Sequence, residues 1–463
     1  MRYSTCDEHA PRKANLMGQM AFRFVDLFAG IGGFHAALSG LGGSCRYAVE
    51  IDALAASVYR SNWGIDPLGD VARDVGDDYV NVPEHDVLAA GFPCQPFSKS
   101  GTQLGMEDAR GTLFWQIARI VEERRPAMLI LENVRNLAGP RHKHEWDVIV
   151  ATLRDLGYRV ASEPAVFSPH LLPPTMGGRP QVRERVFITA TRVDDGGSLE
   201  AEPVVRPVPI ADWDPQRWNL AVDLPLDPDH HAVGFDLSDS ERLWINAWDD
   251  FVRRLREHAP GERLPGFPIW ADEWTSIDTL QIPDETPDWK AAFLRKNSRF
   301  YSTHKELLDS WAREWGVYTD AFPPSRRKLE WQAQDTPSLW DCVLHLRPSG
   351  IRAKRPTYLP ALVAITQTSI IGPRERRLSP REAARLQGFP DNFDFGDQAA
   401  AETYKQLGNA VNVGVVQYVA FKHVLRDRDV LSEIAPSLVS NVLARGEDLF
   451  HEATESAVPA ALF

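Results

Sequence analysis

The sequence lacks the features of a membrane-spanning or disulfide-rich protein. Its 463 residues contain no uninterrupted apolar run of about eighteen, so we expect no transmembrane helix. Residues 1–20 are polar and interrupted by Pro11, which is not the pattern of a secretory signal. The four cysteines, Cys6, Cys45, Cys94 and Cys342, lie far apart and match no metal-binding spacing. We therefore expect a protein of the reducing cytoplasm without disulfides or a metal site.

An excess of positive charge is also absent. The chain has 51 Lys and Arg residues against 64 Asp and Glu residues, and its net charge is −13. This balance argues against a protein that holds nucleic acid by its bulk charge, but it is compatible with a local basic cleft. Arg347, Arg352, Lys354 and Arg355 form the best local candidate for contact with a polyanion. A solvated surface is the alternative interpretation of this cluster.

Apolar runs and amphipathic stretches alternate over residues 22–190. The β-like runs lie at 24–28, 47–50, 87–92, 127–131 and 185–189. Helical patterns such as 53–63 and 112–124 separate them. This alternation predicts an α/β fold with a doubly wound, mostly parallel sheet. Residues 193–345 are rich in Pro, Asp and Trp and show weak periodicity, which predicts a second, smaller and irregular domain.

A glycine-rich turn, DLFAGIGG at residues 26–33, joins the first predicted strand to a helix. Glycines at such a turn let a ligand approach the backbone, and the helix start offers free N–H groups. Glu50 ends the next strand, where this type of sheet places a carboxylate against a ribose. Because the spacing is not GxGxxG, we expect a cofactor with a ribose and no pyrophosphate. A tight turn that binds nothing is the alternative.

Cys94 lies in GFPCQPFS, residues 91–98, directly after a predicted strand. Its neighbours Pro93 and Pro96 do not fit an ordinary strand interior. A thiol at the carboxyl end of a strand faces the crevice where ligands bind in this architecture, so Cys94 is a candidate nucleophile. A buried structural cysteine is the alternative. The polar segment 98–111 contains three glycines and is typical of a loop that closes over a substrate.

Glu132 ends the next strong strand and therefore belongs to the same sheet edge as Cys94. Burial there would keep its carboxyl protonated and able to donate. In QVRER, residues 181–185, the alternation places Arg183 and Arg185 on one face of an extended segment. Two guanidiniums suit phosphate or carbonyl oxygens. The alternatives are a helix-capping Glu132 and a solvated run of charges.

Taken in order, these segments resemble the motifs of the cytosine-C5 DNA methyltransferases. PCQ at 93–95 followed by ENV at 132–134 is the most specific pair. The resemblance covers residues 22 to about 425, except for the region 193–372. The other motifs are DLFAGIGG (26–33), EID (50–52), GD (69–70), QVRER (181–185), REAARLQGFP (381–390) and QLGNAV (406–411).

The resemblance implies methyl transfer from S-adenosylmethionine to C5 of a flipped-out cytosine. Cys94 is the implied nucleophile, Glu132 the implied acid, and Arg183 with Arg185 the implied clamp on the base. Glu50 would bind the ribose hydroxyls, and Asp70 would bind the adenine amino group. Phe28 and Ile51 would pack on the two faces of the adenine. The implied cofactor-binding residues are Asp26, Phe28, Gly30, Ile31, Gly32, Gly33, Glu50, Ile51, Asp70, Asn409 and Ala410. No metal is implied.

The resemblance also implies a domain organisation. We expect an N-terminal extension (1–21), a catalytic domain (22–192, completed by 401–426), a target-recognition domain (193–400) and a C-terminal tail (427–463). The implied partners are double-stranded DNA and a cognate restriction endonuclease, as in bacterial restriction–modification systems. We expect a monomer in the bacterial cytoplasm that associates with the nucleoid when bound to DNA.

The sequence departs from the family pattern at two places. GRPQ at residues 178–181 stands where GIPQ is common. Many members carry a Thr-Leu dipeptide that helps to place the flipped base. Thr357, Tyr358 and Leu359 lie near the expected place, whereas the dipeptide Thr279-Leu280 comes much earlier, so the sequence leaves the equivalent open.

Three other functions compete with DNA methylation. The same chemistry on tRNA is the first, and the long region 193–372 argues against it because a compact tRNA enzyme needs less. A nicotinamide-dependent oxidoreductase is the second, and the glycine spacing and PCQ argue against it. A non-catalytic DNA-binding protein is the third, and it would be expected to have lost Cys94 or Glu132.

Overall fold

The computed structural model describes most of the chain in a mixed α/β arrangement. It describes residues 20–93, 112–194, 196–204, 213–224, 226–227, 232, 234–261, 263–362 and 368–455. The strands are β1 (Phe22–Leu27), β2 (Gly43–Val49), β3 (Val87–Gly91), β4 (Met128–Val134), β5 (Tyr158–Val160), β6 (Ala165–Phe167), β7 (Arg185–Arg192), β8 (Ile269–Trp270), β9 (Lys328–Gln332), β10 (Val343–Arg347), β11 (Gly350–Lys354), β12 (Ile370–Ile371) and β13 (Arg376–Arg377).

The helices follow the strands in the first part of the chain and are longest in the middle. They are α1 (Gly33–Gly40), α2 (Ala53–Trp63), α3 (Val71–Asp74), α4 (Leu113–Arg124), α5 (Lys143–Asp155), α6 (Leu220–Asp223), α7 (Asp239–His258), α8 (Asp288–Glu314), α9 (Pro380–Gln387), α10 (Ala400–Asn409), α11 (Val413–Arg426), α12 (Arg428–Ile434) and α13 (Pro436–Glu455). No helix in the described part is long and apolar enough to cross a membrane.

The first sheet has the strand order β2-β1-β3-β4-β7-β5, and β6 also pairs with β7. The pairs β1–β2, β1–β3 and β3–β4 are parallel, whereas β7 is antiparallel to β4, β5 and β6. Of these seven strands, β7 alone therefore runs in the opposite direction. The carboxyl ends of β1 to β4 consequently lie along one edge of the sheet.

Both faces of this sheet are covered by apolar packing. Along β3, Val87 and Ala89 belong to one buried cluster, and Leu88 and Ala90 belong to another on the opposite face. A strand that is buried on both faces has no polar side to alternate with, which explains the continuous apolar runs in the sequence. Helix α9 and part of α12 and α13 pack into the first cluster, together with α1 and α11.

The region after residue 193 is not irregular, and that prediction is wrong. It contains the long helices α7 and α8 and a six-stranded sheet of order β13-β12-β10-β11-β9-β8, around a separate buried cluster. Helix α7 buries Ile245, Trp248, Val252 and Leu255, which are spaced by three and four residues as one helical face requires. The apolar periodicity is present, but tryptophan and phenylalanine carry much of it.

Candidate active site

A cleft of about 480 Å3 opens at the carboxyl ends of β1 to β4. This is the edge at which parallel α/β sheets bind ligands. The cleft brings together most of the side chains that the sequence selected, from segments more than 350 residues apart. The predicted site residues that line it are Phe28, Gly30, Gly33, Glu50, Ile51, Asp70, Glu132, Arg185, Asn409 and Ala410.

The Glu50 carboxylate is held in place by the backbone of the glycine-rich turn. The Gly30 N–H donates to Oε2 at 2.7 Å, and the Asp52 N–H donates to Oε1 at 2.8 Å. Each oxygen keeps a lone pair that is free for a further donor, because a carboxylate offers about four acceptor positions. Gly30 has a φ of 55° and open space where a Cβ would lie. Glu50 is thus fixed in orientation and can still accept two hydroxyl groups.

The next two glycines serve the packing of the turn. Gly32 has a φ of 91°, and a Cβ there would lie 2.1 Å from Nε1 of Trp63, which donates to the carbonyl of Ile31 at 3.1 Å. A Cβ on Gly33 would lie 2.7 Å from the Val411 side chain. Ile31 and Gly32 do not line the cleft. At these positions glycine is required by backbone conformation and close contact rather than by an approaching ligand.

Apolar side chains and a second carboxylate border the same part of the cleft. Ile51 is 73% exposed although it is large and apolar, and it lines the cleft together with Phe28. Asp70 is the N-cap of α3, and its Oδ1 accepts from the Ala72 N–H at 3.0 Å. A flat aromatic ring with a polar edge would fit between Phe28, Ile51 and Asp70. Its apolar faces would be removed from water by the two apolar side chains, and its polar edge would meet the Asp70 carboxylate.

Asp26 lies beneath the cleft and does not line it. Its carboxyl is fully buried in β1, near the backbone N–H of His35. Burial raises its pKa well above the ordinary value, and the nearby negative charge of Glu50 raises it further. The structure therefore places Asp26 as a buried acid that does not line the cleft.

Glu132 and Arg185 form an ion pair in the deeper part of the cleft. Nε of Arg185 lies 2.9 Å from Oε1 of Glu132, and the Glu132 residue is 7% exposed. Burial raises the pKa of Glu132, although the positive charges of Arg185 and Arg183 act in the opposite direction. A carboxyl with a raised pKa holds its proton more readily, so Glu132 is suited to donate a hydrogen bond or a proton to a ligand.

Arg183 is buried beside this pair and outside the main cleft. It is 2% exposed, and its guanidinium donates to the carbonyl of Ala410 at 2.6 Å. Burial and the neighbouring charge of Arg185 lower its pKa to about 9. Arg183 therefore connects the segment that carries Arg185 to the QLGNAV motif, residues 406–411. It influences the cleft through Arg185 and Ala410, which line it.

Sequence reasoning did not select Asn133, which lies next to Glu132 and is buried. Its Nδ2 donates to the carbonyl of Phe92 at 2.9 Å, and its Oδ1 accepts from the Val134 N–H at 2.8 Å. This contact ties the end of β3 to the end of β4. Other lining residues that were not selected include Val71, Leu113 and Lys405. The sequence signal for Asn133 was its place in the ENV motif, residues 132–134, directly after Glu132.

Cys94 and the segment 98–111 lie outside the described residues. Pro93, which precedes Cys94 in the sequence, lines the cleft. The predicted nucleophile and the predicted closing loop therefore stay predictions.

A second cavity, of about 450 Å3, adjoins the cleft, since Val134 and Arg185 line both. Lys354 and Tyr358 of the later region line its other side. Burial and the charges of two neighbouring arginines lower the pKa of Lys354. No described carboxylate lies within ion-pair distance of Lys354, whereas Arg347 and Arg352 pair with Glu330, and Arg355 pairs with Asp335. Of the four-residue basic cluster, Lys354 is thus the cation that remains available beside Arg185.

Comparisons with known proteins show which family the chain resembles. A family model described as C-5 cytosine-specific DNA methylase matches residues 22–424. Type II methyltransferase M.AluI of Cellulosimicrobium cellulans is 51% identical, over 92% of this chain and 97% of that protein. Type II methyltransferase M.HpaII of Haemophilus parainfluenzae is 40% identical, over 86% and 87% respectively. Type II methyltransferase M.HhaI of Haemophilus parahaemolyticus is 31% identical, over 86% and 93%.

Proposed function

The chain belongs to the C-5 cytosine-specific DNA methylase family and is a DNA (cytosine-5-)-methyltransferase, and we propose that it methylates a flipped-out cytosine through a covalent Cys94–C6 bond. The observation that carries the proposal is the buried Glu132–Arg185 pair at the base of the cleft. It places a carboxyl whose pKa is raised by burial beside a guanidinium that pairs with it. These are the two groups that a cytosine ring needs at N3 and O2 when a nucleophile adds to it.

The methyl donor in this proposal is S-adenosylmethionine, which supplies an electrophilic methyl group when bound. Glu50 would accept from the two ribose hydroxyls, because each of its oxygens retains a free lone pair. Asp70 would accept from the adenine amino group, and Phe28 with the exposed Ile51 would pack on the adenine faces. Asn409 and Ala410 would close the far wall.

Cys94 acts on the target base as its nucleophile. C5 of cytosine is a poor nucleophile, and addition of the Cys94 thiolate to C6 converts the ring into an enamine that is reactive at C5. Glu132 donates its proton towards N3 and offsets the charge that develops on the ring, while Arg185 holds the O2 side. After C5 has taken the methyl group, a base removes the C5 proton and the bond between Cys94 and C6 breaks. The thiolate is thereby regenerated.

The target cytosine must leave the duplex for this chemistry, because C6 is not accessible in a stacked base pair. The adjoining cavity between Arg185 and Lys354 is where the flipped nucleotide would enter. We assign residues 98–111 as the loop that closes over it. Lys354 would contact the phosphate next to the flipped base, and Tyr358, rather than Thr279-Leu280, would belong to the segment that replaces the family Thr-Leu dipeptide.

Recognition of the DNA sequence is assigned to residues 193–372, which have their own buried core. The similarity to type II methyltransferases supports a place in a restriction–modification system. A cognate endonuclease as partner, and a monomer that acts in the cytoplasm, are further parts of the proposal. Methylation of tRNA is the second candidate activity. Transfer of a labelled methyl group to duplex DNA and to tRNA, measured side by side, separates the two.

The covalent step is tested with DNA that carries 5-fluorocytosine at the target position. The fluorine cannot leave as a proton does, so the enzyme should stay bound to the DNA through Cys94 in a denaturing gel. Cys94→Ala should abolish trapping and turnover and retain binding to DNA. Cys45→Ser and Cys342→Ser serve as controls and should trap normally once folding has been checked. Normal turnover in Cys94→Ala would show that the nucleophile has been assigned wrongly.

A further inference from the structure

A third cavity, of about 400 Å3, lies within the region 193–372 and shares no lining residue with the cleft or the cavity beside it. It is formed by the end of α7, the segment before β8 and the middle of α8. We call it the Arg299 cavity. Its described lining residues are Leu255, Arg256, Arg263, Leu264, Pro265, Phe267, Lys296, Arg299, Phe300, Thr303 and His304.

The walls of the Arg299 cavity are fixed by buried hydrogen bonds. Asn297, which is fully buried, donates to the carbonyls of Pro268 and Phe293 at 3.0 Å each and accepts from the Trp270 N–H at 2.8 Å. These contacts hold the segment before β8 against α8. On the other side, α8 is kinked at His304, where φ is −118° and ψ is 25°. The shape of the cavity is therefore determined by the fold.

The charge of the cavity is unusual for this chain. Three arginines and one lysine line it, and no carboxylate is among its described lining residues, although the chain as a whole has a net charge of −13. Lys296 and Arg299 are exposed, and no described carboxylate pairs with either. Lys296 lies over the rings of Phe267 and Phe293, at 6.0 and 5.8 Å from their centroids. Several cations around one cavity, with no described acidic partner for Lys296 or Arg299, are matched by an anionic ligand.

The cavity lies at the same edge of the second sheet as Lys354. Arg256 donates to the carbonyl of Thr336 at 2.6 Å, and the preceding residue, Asp335, pairs with Arg355 at 2.5 Å. Strands β9 and β11 are parallel, and Gln332 is the register partner of Lys354. Both strands therefore end at this edge. Lys354 and the Arg299 cavity therefore lie at the same end of this sheet.

We propose that the Arg299 cavity binds a backbone phosphate of the DNA outside the flipped nucleotide, with Lys296 and Arg299 as its main contacts. The inference rests on the proposed function, because it takes the duplex to lie across Lys354. A phosphate provides a negative charge for Lys296 and Arg299, and its sugar can cover the apolar residues Leu255, Leu264 and Phe300. A free mononucleotide carries the same phosphate and sugar. The test therefore has to distinguish a phosphate of the DNA from a free nucleotide.

The test compares the full-length double variant Lys296→Gln/Arg299→Gln with Arg295→Gln/Arg313→Gln. Both remove two positive charges from exposed positions on α8, but Arg295 and Arg313 do not line the cavity. Binding to duplex DNA is measured by fluorescence anisotropy at several salt concentrations. The first variant should bind at least about tenfold more weakly than the second, because each charged hydrogen bond lost is worth about one decade or more. Its salt slope should be smaller by about 1–2.

Further measurements make the result unambiguous. Lys296→Arg/Arg299→Lys, which keeps both charges, should restore most of the affinity, and equal melting temperatures exclude a folding defect. Shortening the duplex on one flank should abolish the difference between the two double variants. Equal DNA affinity of the two double variants would overturn the proposal, as would binding of deoxycytidine monophosphate to the cavity without any effect on DNA. Failure of the wild type to methylate DNA would instead overturn the proposed function.

Discussion

Arg183 and Ala410 are joined by a hydrogen bond of 2.6 Å, from a guanidinium to a backbone carbonyl, across 227 residues of sequence. Ala410 lines the cleft at the end of α10, and Arg183 lies two residues before Arg185, which pairs with Glu132. The bond therefore fixes the QLGNAV motif, residues 406–411, relative to the segment that carries Arg185, the partner of Glu132. Two parts of one cleft are built from distant segments in this way.

We expect Arg183→Leu to weaken this connection. The buried carbonyl of Ala410 would lose its described donor, which should lower the free energy of unfolding by about 1–3 kcal/mol. Affinity for S-adenosylmethionine should fall as well, because Ala410 lines the proposed donor site. Urea denaturation and calorimetry measure the two effects. Arg73→Leu, at an exposed position, is the control and should change neither; a similar loss of stability in both variants would contradict the argument.

The raised pKa of Glu132 predicts how activity depends on pH. Glu132 donates when protonated, so kcat should fall as the pH rises through its pKa. In Glu132→Gln the group cannot titrate, so this alkaline decrease should disappear while kcat is lower by a factor of about 10²–10⁴. In Arg183→Leu the decrease should move to higher pH, because one of the two cations that lower the pKa of Glu132 is gone. Single-turnover methyl transfer measures each profile, and an unchanged alkaline limb in Glu132→Gln would assign that limb to another group.

Glu50→Gln should affect the donor more than the DNA. The amide would place an N–H where Glu50 now accepts from Gly30 or Asp52, and it would lose the charge-assisted bond to a ribose hydroxyl. Affinity for S-adenosylmethionine should decrease by about 1.5–3 kcal/mol, the range for hydrogen bonds to charged groups. Calorimetry checks this, with Asp66→Asn as an exposed control. DNA binding without the donor should stay nearly unchanged, and unaltered donor affinity would argue against the site.

The sequence allowed the elements around the cleft to be predicted because their signals are local. Helix α2 was expected at residues 53–63 and is found there, with Asp52 as its N-cap and Gly64, at a φ of 69°, as its C-cap. Glu50 and Glu132 were placed at strand ends because apolar runs stop there, and parallel strands bring such ends together. The capping residues and the β-like runs are each defined by a few neighbouring positions.

Other features depend on contacts between distant residues and could not be predicted in this way. The pairing of Arg347 and Arg352 with Glu330 follows from the order of β10, β11 and β9, which no local pattern encodes. The glycine requirement at position 32 arises from Trp63, on another helix. Helices α7 and α8 were missed for a different reason, since aromatic side chains occupy many of the positions where aliphatic ones were sought.

Exchange of residues 193–372 should change the DNA sequence that is methylated. In the proposed function the cleft contacts only the flipped cytosine, so its residues would not discriminate among neighbouring bases. The region 193–372 has its own core and sheet and adjoins the cleft. Transplanting it into a related enzyme should transfer the recognition site of this chain. Sequencing that reports 5-methylcytosine in context, on DNA from a host without methylation, reads the outcome. An unchanged recognition site in the chimaera would show that the assignment is wrong.

Lys354 should carry more of the DNA affinity than the other cations of its cluster. It lines the cavity beside Arg185 and has no described carboxylate partner, whereas Arg352, two residues earlier on the same strand, pairs with Glu330 at 2.8 Å. Lys354→Gln should weaken binding to all duplexes alike and reduce the salt slope by about 0.9, as the loss of one phosphate contact does. Arg352→Gln is the matched control and should change the slope less.

The same pair of variants separates a phosphate contact from a base contact. If Lys354 instead reads a base edge, Lys354→Gln should relax the preference at one position of the recognition site by about 1–3 kcal/mol and leave binding to unrelated DNA unchanged. Anisotropy with cognate and unrelated duplexes at several salt concentrations distinguishes these results. If neither the affinity, its salt slope nor the preference changes in Lys354→Gln, Lys354 does not contact the DNA, and the path of the duplex between the two cavities must be assigned differently.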